Sequence, residues 1–221
     1  MKRIFSFLVV LILLISVTSC TKTKTELFEN GRVKSQIQYR FGKENGISRY
    51  FHPVYGSKIM EVNMKNGKKE GELSKFYFNG NREYQAFYKN DIIEGTERTW
   101  SKSGQILSEV HFVKGKKEGS YSSWYENGVS FAKGSYKNDL PDGKWEFYDQ
   151  RGMLIGESNY VLGTGNQTQF DANGNISIKT SFKNGLKNGP EIHYNPDGTV
   201  LSTTIYQNDR IIEVDGKPVN K

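Results

Sequence analysis

This sequence has a single cysteine, Cys20, and only three histidines among its 221 residues. One cysteine excludes a disulfide within the chain. The histidines, His52, His111 and His193, lack the spacing of metal ligands and show no acidic partner placed for a catalytic triad. We therefore expect no metal, no cofactor and no enzymatic activity.

Aliphatic residues are also scarce. Only 35% of the residues are hydrophobic, whereas 13% are aromatic. No stretch keeps an apolar period of 3.6 residues, and glycine recurs too often for a helix to continue. The composition thus argues against helices and favours a thin structure with much exposed surface.

The one long apolar run, Ile4 to Ile15, follows Lys2 and Arg3 and precedes small residues. It is too short for a membrane span and is typical of a cleaved export signal over residues 1–19. Residues 17–20 resemble the lipobox of bacterial lipoproteins, which implies acyl chains such as palmitate on Cys20. The alternative is an incidental cysteine after an ordinary signal peptide. We expect a short linker over residues 20–26, membrane attachment through Cys20, and a place in the cell envelope at the bacterial outer membrane.

The positive charge is modest. Removal of Lys2 and Arg3 with the signal would lower the formal net charge from +7 to +5. This excess is mild for a nucleic-acid-binding protein, and export argues against such a partner. We predict that no nucleic acid is bound.

Glycine is abundant, and it returns at a nearly constant interval of 24 residues. A fixed period of this length indicates a stacked repeat array, here over residues 27–213 with a polar tail at 214–221. The repeated glycines of the polar turns are Gly31, Gly56, Gly80, Gly104, Gly128, Gly152, Gly174 and Gly198. A second glycine follows at Gly46, Gly71, Gly95, Gly119, Gly143, Gly165 and Gly189.

Two aromatic columns accompany the glycines. Eight residues after the first glycine stand Tyr39, Met64, Tyr88, Phe112, Tyr136, Tyr160, Phe182 and Tyr206. Near the end of each unit stand Phe51, Phe76, Trp100, Trp124, Tyr148, Phe170 and Tyr194. Such regularity predicts that the rings form the packing spine of the structure.

Each unit has the pattern of a β-hairpin. Ile106, Val110 and Phe112 alternate with polar residues, as on one face of a half-buried strand. Pairs such as Asn66-Gly67 and Asn138-Asp139 tolerate the positive φ of hairpin turns. The predicted fold is all-β: an elongated antiparallel β-meander or solenoid of about eight 24-residue hairpin repeats in a single twisted sheet.

The columns resemble the MORN-repeat variant family, in which MORN stands for membrane occupation and recognition nexus. The segments that carry the resemblance are residues 64–71 and 136–145. Two places depart from the pattern: the unit from Gly152 to Phe170 is two residues short, and the last unit ends after Arg210. The resemblance implies antitoxin-like relatives in bacteria and, in eukaryotes, relatives associated with membranes, phosphoinositides and scaffold assembly.

Lysines of the turns are the first binding candidates. Equivalent turns of a meander lie along one edge, so these lysines would form a broken ladder suited to anionic lipid headgroups. The alternative is that they keep the turns soluble, since acidic residues recur beside them. The lysines that we select are Lys68, Lys69, Lys116 and Lys117.

Aromatic residues outside the two columns are the second candidates, because rings can grip sugars or peptides. Tyr121, Trp145 and Phe147 fall near one another in adjacent units, and we expect them to form a cluster. The column residues themselves fit a structural role better.

The sequence favours a lipid-anchored, extracytoplasmic protein that presents an extended β-surface for binding or scaffolding. The partner would be a protein, a lipid headgroup or a glycan. An antitoxin or immunity-type inhibitor is one alternative, and a glycan-active enzyme is a second. The period leaves the oligomeric state open.

Overall fold

The computed structural model describes residues 21–219, and all the strands of this part belong to one sheet. Each pairing between strands is antiparallel and joins strands that are consecutive in the chain or separated only by a two-residue strand. The predicted all-β meander is confirmed. The strands are β1 (Lys22–Leu27), β2 (Val33–Arg40), β3 (Lys43–Phe51), β4 (Lys58–Lys65), β5 (Lys68–Phe76), β6 (Arg82–Lys89), β7 (Ile92–Ile93), β8 (Gly95–Trp100), β9 (Ile106–Val113), β10 (Lys116–Trp124), β11 (Ser130–Lys137), β12 (Leu140–Pro141), β13 (Gly143–Tyr148), β14 (Leu154–Val161), β15 (Thr164–Phe170), β16 (Ile176–Lys183), β17 (Leu186–Tyr194), β18 (Val200–Gln207), β19 (Arg210–Val214) and β20 (Lys217–Pro218).

Both ends of the described chain differ from the sequence-based expectation. The expected linker is the first strand, because β1 pairs with β2 from Lys22 to Leu27. Threonine favours strands, and the alternating lysines keep this edge strand polar. The expected tail is also part of the sheet, since β19 pairs with β20 through Val214 and Lys217. The array therefore extends beyond the predicted limits of 27 and 213.

The first repeated glycine of each unit lies in a tight turn. Gly128 has a φ of 82° and donates its N–H to the carbonyl of Tyr125 at 2.9 Å. On the opposite edge, Asn138 and Asp139 have φ values of 50° and 70°. Two consecutive positive φ values are what a hairpin turn that matches strand twist requires. The turn predictions are confirmed.

In all units but the shortened one, the second repeated glycine lies where the ladder bulges. Between β9 and β10, Lys117 pairs with Phe112 but Tyr121 pairs with Val110, so β10 carries extra residues. Gly119, with a φ of 89°, lies in this bulge and pairs on its other side with Tyr136. Glycine permits the left-handed backbone that such a bulge requires.

The sheet has two chemically different faces, and the two aromatic columns lie on opposite ones. We call the face that carries Tyr88 and Ala86 the tyrosine face. The other carries Trp100 and ion pairs such as Arg98–Glu109, and we call it the ion-pair face. Most of the buried apolar side chains are on the tyrosine face, namely Ile37, Val62, Leu73, Ala86, Val110, Ala132, Trp145 and Tyr160.

Candidate binding surface

The aromatic cluster expected from the sequence is assembled on the tyrosine face. The rings of Tyr121 and Trp145 are stacked with their centroids 5.3 Å apart. Phe147 lies two residues farther along β13, with its centroid 6.1 Å from that of Trp145. Alternation along β13 places residues 145 and 147 on one face, which explains why the sequence could bring them together.

A glycine creates the space for this cluster. Gly134 pairs with Tyr121, and the register of the neighbouring residues places it opposite Trp145. A Cβ atom at Gly134 would collide with the indole, so the ring lies over the bare backbone. The indole N–H donates to the carbonyl of Ser135 at 3.0 Å. As a result Trp145 is only 5% exposed, and the chain covers this part of the face with its own side chains.

Tyr136 of the first aromatic column closes the cluster. Its ring centroid lies 5.6 Å from that of Tyr121 and 5.1 Å from that of Trp145, both at nearly right angles. Such edge-to-face contacts stabilise packed aromatic groups beyond the area that they bury. Burial raises the pKa of the Tyr136 phenol, so this phenol stays uncharged at neutral pH.

The selected lysines divide into two kinds. Lys69 and Lys117 place their Nζ atoms 4.9 Å from the ring centroids of Tyr88 and Tyr136, one unit farther along the chain. Lys68 and Lys116 are exposed on the neighbouring turn positions. The ring contacts give the first pair a structural role, and the second pair is left to solvent or a ligand.

Acidic side chains hold the lysine-bearing turns together by accepting backbone hydrogen bonds. The sequence did not predict this role. Asn90 donates its backbone N–H to Glu70 at 2.9 Å, and Asn138 donates to Glu118 at 2.9 Å. In the other direction, Lys117 donates its N–H to Asp139 of the next turn at 2.8 Å. Charged acceptors make these bonds stronger than neutral ones. The exact recurrence of Glu70, Glu94, Glu118 and Asp142 was the signal for this role.

The shortened unit keeps its edge contacts but loses its bulge. Strands β14 and β15 pair without a register shift, from Val161 with Thr164 to Gly156 with Gln169. Gly165 accordingly lacks the positive φ of its equivalents. Gly163 still donates its N–H to Pro141 of the preceding turn at 2.7 Å. The deletion thus removes two bulge residues and leaves the stack of turns continuous.

One histidine, His193, has an acidic neighbour that the sequence did not point to. The Nε2 atom of His193 lies 3.4 Å from Glu191, a carboxylate that also binds Lys187 at 2.5 Å and Thr180 at 3.0 Å. Burial alone would raise the pKa of Glu191, but these hydrogen bonds outweigh it and lower the pKa. Because Thr180 donates to the carboxylate and not to the imidazole, the group is no Ser-His-Asp-type triad.

The remaining sequence-based hypotheses concern the membrane anchor and metal binding. Cys20 and the export signal lie outside the described residues. Between residues 21 and 219 there is no helix with the length and apolar character of a membrane crossing. The same residues contain no group of three His, Cys, Asp or Glu side chains arranged to hold a metal ion.

The comparison with known families agrees with the repeat geometry. The model of the family described as MORN repeat variant matches six segments, at residues 69–90, 93–114, 117–138, 141–161, 164–184 and 187–208. These segments make up more than half of the chain, which therefore belongs to the MORN repeat variant family. No curated protein matches the chain. The hairpins of β1 to β4 continue the same architecture before the first matched segment.

Proposed function

We propose that this member of the MORN repeat variant family is a non-enzymatic binding scaffold of the bacterial envelope. A lipid on Cys20 would tether it to the membrane, and the tyrosine face would hold its partner. The family and the β-repeat architecture fit a binding or scaffolding role. The anchor and the partner are our inference from the sequence and the surface chemistry.

The observation that carries this proposal is the uncovered tyrosine face. All strands of the described residues belong to one sheet, so no second layer of this part packs on that face. Rings of the first column nevertheless follow one another along it, from Tyr39 to Tyr206. Interrupted only by Met64, this row gives a partly exposed aromatic surface, which is a feature of protein–protein and protein–ligand sites.

The exposed lysines add a second, weaker element. Lys68 and Lys116 repeat along one edge of the array, and each could contribute about 1 kcal/mol next to an anionic surface. Such a contribution would orient a tethered scaffold on its membrane. It would leave the tyrosine face free for the partner.

Crosslinking in native membranes tests the proposal directly. The wild-type chain should sediment with membranes and capture a defined partner, whereas Cys20→Ser should appear in the soluble fraction. Lys68→Ala/Lys116→Ala should weaken contact with anionic membranes but leave partner capture intact. A wild-type chain that remains soluble, or that captures nothing reproducibly, would contradict the proposed function.

A further inference from the structure

A trough of about 510 Å³ lies on the tyrosine face between β3 and β6. Its floor is the row in which Val62 pairs with Leu73, both at most 6% exposed. One wall is the continuous row Tyr50, Met60, Lys75 and Tyr84, in which each residue pairs with the next. The other wall is formed by Glu44, Met64, Lys69 and Tyr88. The trough thus has an aliphatic floor between two rows of long side chains.

Three repeats later, an aromatic ring fills the equivalent row of the sheet. Residues 72 positions farther on replace Val62 with Gly134 and Leu73 with Trp145. There the indole lies over the glycine and contacts Tyr121 and Tyr136. At the trough, Val62 and Leu73 leave the space above the row open. The chain itself therefore shows that a flat aromatic ring can lie on this row of the sheet.

The walls of the trough suit such a ring. Tyr50, Tyr84 and Tyr88 offer aromatic edges and faces, which favour another ring in stacked or perpendicular contact. Met60 and Met64 add flexible thioethers, which adapt to irregular partners and make favourable contacts with aromatic rings. Burial and a hydrogen bond to Glu97 raise the pKa of Tyr84, so its phenol stays neutral.

The charge at the rim is positive. Lys69 and Lys75 hold their Nζ atoms over the rings of Tyr88 and Tyr84, at 4.9 Å and 5.4 Å from the centroids. Neither Nζ has a carboxylate oxygen within 4.0 Å among residues 21–219. Glu44 supplies the one opposing charge in the lining. Two cations against one anion favour an acidic ligand.

We propose that the trough receives an aromatic side chain of a partner protein, with carboxylates beside that residue in the partner sequence. The inference rests on the proposed scaffold function and assigns its docking site. The partner ring lies over Val62 and Leu73, where the later repeat carries Trp145. The neighbouring carboxylates face Lys69 and Lys75.

Methionine methyl groups give a direct readout of this site. The full chain labelled with ¹³C-methyl methionine reports on Met60 and Met64 inside the trough, and on Met153 in a distant turn. Titration with Ac-Glu-Trp-Glu-NH₂ should shift the two trough signals with a Kd on the order of 1 mM, as befits one small anchor. Ac-Glu-Leu-Glu-NH₂ and Ac-Lys-Trp-Lys-NH₂ should bind at least about fivefold more weakly.

Two variants separate the trough from the rest of the face. Val62→Gly/Leu73→Trp copies the later repeat and should abolish binding, because the chain's own indole takes the space. Lys75→Glu alters only an exposed rim position, so folding is not at risk. It should weaken binding of the acidic peptide about five- to tenfold. Equal shifts of Met153, no shift up to about ten times that Kd, or unchanged binding to Lys75→Glu would overturn the assignment. A membrane partner that crosslinks elsewhere would leave the scaffold function standing and remove only this site.

Discussion

The segments 44–88 and 117–160 share one backbone architecture but differ in the surface that they present on the tyrosine face. Both have the same antiparallel register and bulge glycines, and Glu70 and its equivalent Asp142 each accept a backbone N–H from the next turn. In the later segment, Gly134 and Trp145 let an indole cover the sheet. In the earlier one, Val62 and Leu73 leave a trough. A repeat array can thus change its surface at one row without changing its frame, because each unit contacts only its neighbours.

The largest expected loss of stability comes from filling the space that the Trp145 indole occupies. Gly134→Val would place a branched side chain where Trp145 lies, and overpacking of this kind costs about 1–3 kcal/mol of unfolding free energy. Urea denaturation followed by circular dichroism should show this loss. Gly134→Val/Trp145→Leu restores the Val–Leu pair of the earlier segment and should recover part of it. A double variant less stable than the sum of the single changes would contradict the equivalence of the two rows.

Removing the ring alone should cost slightly less. Trp145→Leu deletes the contacts with Tyr121, Tyr136 and Phe147, and we expect a loss of about 2 kcal/mol. The matched control is Phe131→Leu, at an aromatic residue that is 42% exposed and contacts only Tyr125 among the rings of residues 21–219. Similar losses for both variants, measured by thermal unfolding, would show that the cluster adds no stability of its own.

The turn edges should behave identically in the two segments. Glu70→Ala and Asp142→Ala, 72 positions apart, each remove a carboxylate that accepts a backbone N–H at 2.9 Å. Each should lower the unfolding free energy by about 1–2 kcal/mol, as expected for a bond to a charged acceptor. Glu70→Gln and Asp142→Asn keep an acceptor and should recover much of the loss. A large loss of unfolding free energy at one site and none at the other would show that the two segments do not share these turn contacts.

The smallest effect is a pH dependence on the ion-pair face. Burial raises the pKa of Glu61, but hydrogen bonds from Lys58 and Arg49 outweigh this and lower it overall. A lowered pKa gives a stabilisation that is complete above the unfolded pKa of about 4.3 and is lost as the pH falls through the folded value. For this partly exposed pair we expect less than about 1 kcal/mol.

Glu61→Gln should therefore lower the urea midpoint at pH 7 and leave it unchanged at a pH below the folded pKa. Lys133→Gln, at the equivalent position of the later segment, removes a cation that helps to lower the pKa of Glu146, so its effect should also fade as the pH falls through the acidic range. An equal difference between wild type and Glu61→Gln at both pH values would rule out this linkage.

Much of the repeat architecture was predictable from the sequence, because the residues that recur at the turns have strong backbone preferences. Turn positions such as Asn138 and Gly128 need positive φ, and their spacing alone gave the meander. The contact of Tyr121 with Trp145 also followed, since register and alternation place them together. The turns depend on local geometry that one repeat already contains, and the ring contact follows once neighbouring repeats pair in that geometry.

Other features depend on contacts between repeats, which a column pattern does not specify. Across the turn Phe112 pairs with Lys117, an odd offset that the columns do not specify, so Trp124 falls on the face opposite Phe112 and the two aromatic columns separate. The carboxylate of Glu118 binds a backbone group twenty residues away, and nothing about its charge alone distinguishes this from a solvated side chain. The strand at residues 22–27 was missed because its lysines and threonines suggest a linker until a partner strand is known.

The most direct test of the difference between the segments is photocrosslinking in native membranes from two equivalent positions. Benzoylphenylalanine at Lys75 lies on the wall of the trough, and at Phe147 it lies on the filled segment. We predict a partner adduct from position 75 that maps beside an acidic, aromatic stretch of the partner and disappears in the Val62→Gly/Leu73→Trp background. Position 147 should give no such adduct. Equal adducts from both positions, or an adduct that survives filling of the trough, would contradict docking at this site.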